Sequence, residues 1–517
     1  MANGKGHELI PSLRQTSWNV LVIWCHKLGS LAASIFVMGA ATRLYGLEQI
    51  GVWIFATALA SYLVLLDFGT SSALPRIVPR LRQSGNVDAI RQIVSTAFSL
   101  AVVVATVGLV VLFAFGHHLL EALTGDASGD QSQYAILVMT LLAGLVSLPL
   151  RVGYGLLASV SRFDVYFGVD LAGIILRVIL VFFVVVAWQW GIVLFAAAAL
   201  ISPLMANIVQ YLLGLRFSAL RISWGDISMA AVRELLSHTG ASLFLTFSAM
   251  LLIQGSTLAA AKLGTSAVAI LAFPLLLITQ GMSFGASAGA LVSPVASALS
   301  VAGSGRLREM ALGTISAGSA ISVAIFLLLY FLGPVFLDYW LLGGKVDRPA
   351  LEEIVGVLDI LLWGGLFIGP AAAARGVLMG IGKHWVGASV EFGSSILGFL
   401  AGISMMASGQ GTAGLAWGLA LGFVARYVGL LAPLVGSVGT TLGAVLMVTG
   451  KPVIVGLVSI ALSIYLFGIP SYDSGTASAV GGASAAMSVW AIGTWWVVLN
   501  SIQREYVASR LKRVFSN

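Results

Sequence analysis

Asp67, Asp170 and Glu391 stand inside long apolar runs of this 517-residue sequence, as do Lys27, Arg151, Arg177, Arg375 and Arg426. An ionised group in hydrocarbon is costly, so each such residue normally faces a partner or a wet cavity. Asp170 and Arg177 are seven residues apart, two helical turns on one face, and could pair. Asp67 precedes Arg76 by nine residues, about 13 Å if the segment is one α-helix. The chemistry available to these groups is binding. Lys27, Arg151, Arg177, Arg375 and Arg426 are candidates to receive an anionic substrate head. Asp67, Asp170 and Glu391 are candidates to bind and release a coupling proton or sodium ion and so bias one conformation. The plainer reading is that these groups form structural ion pairs or extend to the headgroups, which long basic side chains do more easily than short carboxylates. Asp359 reads as an outer-end residue.

No catalytic signature accompanies them. The nearest phosphate-loop endings, Gly382-Lys383-His384 and Gly450-Lys451-Pro452, lack the Ser or Thr that would hold magnesium. The histidines show neither HExxH nor paired metal spacing, and His117-His118 reads as a solvated external loop. No catalytic residue, metal site or cofactor is therefore assigned.

The elements that must position these groups are transmembrane helices. Hydrophobic residues make up 59% of the sequence and charged residues only 9%, whereas soluble domains average about a quarter charged. Fourteen apolar runs, from 18–42 to 479–499, are each long enough to cross the bilayer as a helix. They do not alternate as barrel strands would. Basic residues follow every even-numbered run, among them Arg76, Arg80 and Arg82 after the second and Arg216, Arg221 and Arg233 after the sixth. By the positive-inside rule these loops and both termini are cytoplasmic. The same dispersal argues against nucleic-acid binding despite a net charge of +7. Cys25, the one cysteine, reads as a packing residue, and the first run as a retained helix longer than a signal-peptide core. Several tryptophans, including Trp188, Trp190, Trp340 and Trp385, fall near the ends of runs, as in an aromatic belt.

An internal repeat organises the runs. An offset of 221 residues aligns Pro149 with Pro370, Gly155 with Gly376, Arg162 with Lys383 and Asp170 with Glu391. In the second copy Gly398 stands where Arg177 stands in the first. The shift covers six runs, an even number, so the halves have parallel orientation about an axis along the membrane normal. The expected organisation is a six-helix bundle over residues 1–215, a second over 216–435, and two further helices with a basic tail over 436–517.

The stretch Leu44-Tyr45-Gly46 to Arg76, with Leu66-Asp67-Phe68-Gly69, resembles the opening spans of Wzx-type polysaccharide flippases of the multidrug/oligosaccharidyl-lipid/polysaccharide exporter superfamily. Leu156-Leu157-Ala158 to Arg162-Phe163 is similar too. The resemblance implies an all-α polytopic fold of 14 transmembrane helices, with two pseudo-symmetric bundles forming a V around a central cavity. It also implies a bacterial inner-membrane flippase carrying undecaprenyl-pyrophosphate-linked oligosaccharide to the outer leaflet by alternating access. Partners would be membrane lipids, a polysaccharide polymerase and glycosyltransferases. Three rivals remain. A lipid II flippase would be expected to show an arginine-rich, aspartate-containing first loop, which is not evident. A drug or cation antiporter is disfavoured by the last two runs. A membrane glycosyltransferase would need a large external loop, and the longest here, around 334–353, is short.

Overall fold

The computed structural model describes residues 13–67, 70–124, 131–237, 240–302, 304–342, 345–470, 475–499 and Arg504. Among these residues there is no β-strand. The helices are α1 (Leu13–Ser61), α2 (Thr70–Gln83), α3 (Val87–Thr124), α4 (Gln131–Leu150), α5 (Val152–Ser159) and α6 (Phe163–Val181). There follow α7 (Ile192–Ser218), α8 (Met229–Ser237), α9 (Gly240–Ala260), α10 (Thr265–Ala302), α11 (Ser304–Leu341) and α12 (Arg348–Gly365). The chain ends with α13 (Ile368–Gly380), α14 (His384–Met405), α15 (Gly411–Val438), α16 (Leu442–Phe467) and α17 (Gly475–Gly493). Eleven stretches among the described residues are long and apolar enough to cross a membrane. Two of them, Val22–Asp67 with 46 residues and His384–Val438 with 55, are about twice the length that one crossing needs. Each is broken at glycine: at Gly46 (φ 86°) in the first, and at Gly409 and Gly411 (φ 96° and 57°) in the second.

The chain divides into two compact units. One runs as far as Met250 and includes Gly264–Ala269, and the other takes Leu251–Leu263 and everything from Ile270. Lipid is as apolar as leucine, so inside the membrane helices associate through close packing and buried hydrogen bonds more than through the hydrophobic effect. In the first unit Ala73, Leu74, Ile77 and Val78 of α2 pack with Ile90, Ile93 and Val94 of α3. In the second, Ile315 of α11 meets Ala373, Ala374 and Val377 of α13 and Leu430 and Leu434 of α15. Glycines bring α14 against α15: a Cβ on Gly418 would lie 2.4 Å from the Gly402 Cα. Tyr427 and Thr449 join their hydroxyls at 2.5 Å between α15 and α16.

Part of the local geometry of the first unit recurs in the second near the offset read from the sequence. α4 gives way to α5 at Arg151, two residues after Pro149, whereas α12 gives way to α13 at Leu366 and Phe367, ahead of Pro370. Proline removes a backbone donor and crowds the turn before it, which accounts for the break ahead of Pro370; the one at Arg151 follows its proline. Ser161 (φ 60°) and Gly382 (φ 83°) occupy the left-handed region at matching positions. The next residues, Arg162 (φ −90°, ψ 52°) and Lys383 (φ −86°, ψ 49°), cap α6 and α14 with nearly the same dihedrals. Both of those helices relax into a π-turn, at Phe182–Ala187 and Met406–Gln410. The helices that follow end on left-handed caps, Ala219 and Gly439.

Several sequence expectations are corrected. The second span tightens into a 3₁₀ segment over Tyr62–Asp67, and α2 is a separate amphipathic helix containing Pro75 and Pro79. The 13 Å separation of Asp67 from Arg76 assumed one continuous α-helix and does not apply, because Asp67 ends the 3₁₀ segment and Arg76 lies on α2. His117-His118 continues α3 and is not a loop. Cys25 is exposed and not packed. Trp188 and Trp190 are exposed and stack with centroids 4.7 Å apart, but Trp340 is buried against Phe273 and Phe336.

The start of α12 carries a simple test. The Asp347 side chain accepts from the Ala350 amide at 3.2 Å, with proline in the first turn. Asp347→Ala is expected to lower stability by about 1 kcal/mol, read as a lower melting temperature in detergent.

Candidate functional site

Each unit holds a cluster of partly or fully buried ionisable groups, built around the acid that the repeat duplicates. In the first unit Tyr166, Asp170 and Arg177 lie on one face of α6, spaced by four and seven residues. The Asp170 carboxylate does not take Arg177 as its partner, contrary to the spacing argument. It accepts from His26 Nε2 of α1 at 2.5 Å. A seven-residue spacing spans two turns, and α1, packed against α6, brings the imidazole closer. His26 is held from the other side by Phe167, with ring centroids 5.1 Å apart. Arg177 stays within electrostatic range of Asp170, but its buried Nε makes no hydrogen bond.

Lys27 follows His26 on α1 and is half-buried. Arg151 stands between α4 and α5 with helical dihedrals (φ −62°, ψ −20°), and its buried Nε also has no hydrogen-bond partner. Tyr166 links these elements: it is within electrostatic range of Asp170, Tyr154 and Arg151, and its ring meets Tyr154 edge-on at 4.6 Å. Gln210 of α7 donates to the Tyr166 carbonyl at 3.2 Å, tying α7 to the same place. Asp67, buried at 2% exposure, closes the 3₁₀ turn Tyr62–Asp67.

In the second unit the structure brings together three residues that the sequence had sorted into two roles. Arg375 Nη1 of α13 donates to Glu391 Oε1 of α14 at 2.5 Å. Arg426 of α15 places its Nε 3.9 Å from the same oxygen, too far for a hydrogen bond. The Glu391 side chain is 2% exposed and that of Arg426 is 14% exposed. Both Nε and Nη2 of Arg426 are buried without a hydrogen-bond partner, and its guanidinium lies 6.0 Å from the Phe423 ring centroid. One carboxylate thus faces two guanidiniums. The cluster carries a net positive charge with unused donors, an arrangement suited to an incoming anion.

The duplicated acid has therefore kept its place and changed its partner. Asp170 faces an imidazole from α1, and Glu391 faces guanidiniums from α13 and α15. Tyr154 stands in the first copy where Arg375 stands in the second. His26 escaped the sequence reading because the histidines were weighed only for metal spacing. Its location inside the first apolar run, next to Lys27, was the available signal.

No protein-family model matches this sequence, and no curated protein does. Solved structures do. The lipid II flippase MurJ in an inward closed conformation superposes with a TM-score of 0.72 at 13% identity, covering 92% of this chain and 97% of that one. An inward-facing multidrug resistance MATE family transporter of the MOP superfamily gives 0.65 at 17% identity, covering 80% and 96%. An outward-facing MATE transporter gives 0.56 at 17% identity, covering 85% and 100%. At these identities the likeness is one of fold. The chain is a multi-pass helical membrane protein with the fold of MurJ and the MATE transporters.

Proposed function

We propose that this protein is a flippase that moves a polyprenyl-pyrophosphate-linked oligosaccharide from the cytoplasmic to the outer leaflet of a bacterial inner membrane by alternating access. The carrying observation is the set of buried guanidinium nitrogens without hydrogen-bond partners, on Arg151 and Arg177 in one unit and Arg426 in the other. A buried cationic donor left unsatisfied is costly, and a diphosphate supplies both the charge and the acceptor oxygens it lacks. The likeness in fold to MurJ, a lipid II flippase, supports a lipid-linked substrate in general. In this reading the chain crosses the membrane fourteen times with both termini cytoplasmic. The two overlong apolar stretches count as two crossings each, and α17 adds the last.

Ion coupling belongs in this reading to His26 and Asp170. Histidine is in general the side chain whose ordinary pKa puts its charge change near neutral pH. Asp67 is a further coupling candidate, and polymerase and glycosyltransferases are the proposed functional neighbours.

The test is transport of lipid-linked oligosaccharide by reconstituted protein. Arg177→Ala and Arg426→Ala are each expected to lower the rate by about tenfold or more, the worth of one charge-assisted hydrogen bond, with membrane levels unchanged. Transport that persists undiminished in both variants would sink the reading. So would efflux of cationic dyes without lipid-linked sugar transport. His26→Asn is expected to flatten the pH dependence of the rate. A pH profile matching the wild type would remove His26 from coupling.

A further inference from the structure

The segment joining α7 to α9 carries an unassigned surface. At Ala219 (φ 55°) the chain leaves α7 by a left-handed cap, is extended at Ser223, turns at Trp224–Asp226 and forms α8. One side is fixed to the first unit. Ala231 and Leu235 of α8 are buried with Ile77 and Val78 of α2 and with Ile90, Ile93 and Val94 of α3, and Leu220 and Ile222 pack on the same cluster. The Ser223 amide donates to Ser95 Oγ and the Ser228 amide to Thr96 Oγ1, each at 3.1 Å. Arg80 pairs with Glu234, and Arg82 Nη2 reaches the Ser218 carbonyl at 3.4 Å.

The other side has the opposite character. Trp224 is 61% exposed and Met229 75%, with Ile227 and Leu236 also exposed. Arg221 and Arg233 are exposed among them, and Arg76, Arg80 and Arg82 are exposed on the neighbouring α2. Large apolar residues spaced among arginines, on a short amphipathic helix, make up the composition of a segment lying in the headgroup plane. Its ends supply the location: α7 and α9 are both long and apolar enough to cross the membrane, so the segment between them starts and ends at the membrane surface.

We propose that Arg221–Leu236 is an anionic-lipid anchor: Trp224, Ile227, Met229 and Leu236 enter the inner-leaflet interface while Arg221 and Arg233 hold acidic headgroups. Docking on α2 and α3 presents this face ready-formed, so binding does not have to order it first. Because the segment joins the two repeats, its attachment to the leaflet holds the joining chain on the first unit. The proposal does not depend on which substrate the protein carries.

The experiment uses the full chain in nanodiscs. In a Cys25→Ser background, Met229→Cys or, separately, Leu236→Cys carries an environment-sensitive fluorophore. The discs contain phosphatidylcholine with a shallow doxyl quencher, with or without one quarter phosphatidylglycerol. Quenching by the doxyl lipid and protection from aqueous iodide are expected at both positions, stronger with phosphatidylglycerol and weaker in high salt. Each arginine near an acidic surface contributes a factor of about five, so Arg221→Gln with Arg233→Gln lowers the docked-to-undocked ratio by about twenty-fivefold. Iodide access at both positions without doxyl quenching overturns the proposal. So does protection that arises only when a soluble cytoplasmic extract is added, which would make this face a protein-docking site.

Discussion

Arg375→Ala is expected to destabilise the protein by about 3 kcal/mol or more and to abolish transport. The reason is the burial of Glu391, whose side chain is 2% exposed and whose hydrogen-bonded cation is Arg375 at 2.5 Å. Without it the cation that remains beside the carboxylate among the described residues is Arg426, at 3.9 Å and outside hydrogen-bond range. Removing one partner of a buried pair costs far more than removing both, since the survivor is left charged and unpaired. The double variant Arg375→Ala with Glu391→Ala should therefore recover more than half of the lost melting temperature. It should not recover transport, because a cationic donor is still missing. Thermal melting in nanodiscs across the four-member cycle measures the coupling, and strictly additive losses would show that the pair contributes nothing specific. Glu391→Gln should be milder in stability and informative in binding. It raises the local charge from +1 to +2, counting Arg375 and Arg426 against Glu391, and is expected to tighten anion binding while slowing release.

Gly418→Ala is expected to cost about 3 kcal/mol or more, at the upper end of what overpacking usually costs. Its Cβ would lie 2.4 Å from the Gly402 Cα and 2.5 Å from both the Gly402 nitrogen and the Gly398 oxygen. All three are backbone atoms, so no side chain can swing aside. Only separation of α14 from α15 would relieve the contact, and α14 carries Glu391 while α15 carries Arg426. The substitution should thus disturb the charge cluster as well as the fold. Gly436→Ala on the same helix is the matched control, because a Cβ there meets nothing within 4 Å. Alanine is a better helix former than glycine, so the control should stabilise by about 0.5 kcal/mol. Equal melting temperatures for the two variants would contradict the close packing.

Part of this site was legible before any coordinates. Asp170 and Glu391 were matched by the repeat offset, together with Pro149 and Pro370 and with Arg162 and Lys383. Those matches are local, and the structure repeats the last of them as local geometry, with nearly the same capping dihedrals at Arg162 and Lys383. The glycines at 398, 402, 414, 418 and 422 were equally visible, but small residues four apart are common in membrane helices. Nothing in their spacing says which helix they will meet. Asp170 shows the same limit more sharply. Its helix offered Arg177 as a partner at a permitted spacing, and the fold supplied His26 from 144 positions away.

Composition, run length and the distribution of arginines thus determined that the chain is a helical membrane protein, and the repeat determined where its intramembrane acids recur. These follow from the bilayer, which forces every spanning segment to be apolar and internally hydrogen-bonded, and so writes itself into sequence one segment at a time. The pairings were decided only by tertiary structure: His26 with Asp170, Arg375 and Arg426 with Glu391, and α8 against α2 and α3. A charge in a low-dielectric interior is satisfied by whichever counter-charge helix packing brings nearest, and that depends on all the packed helices together.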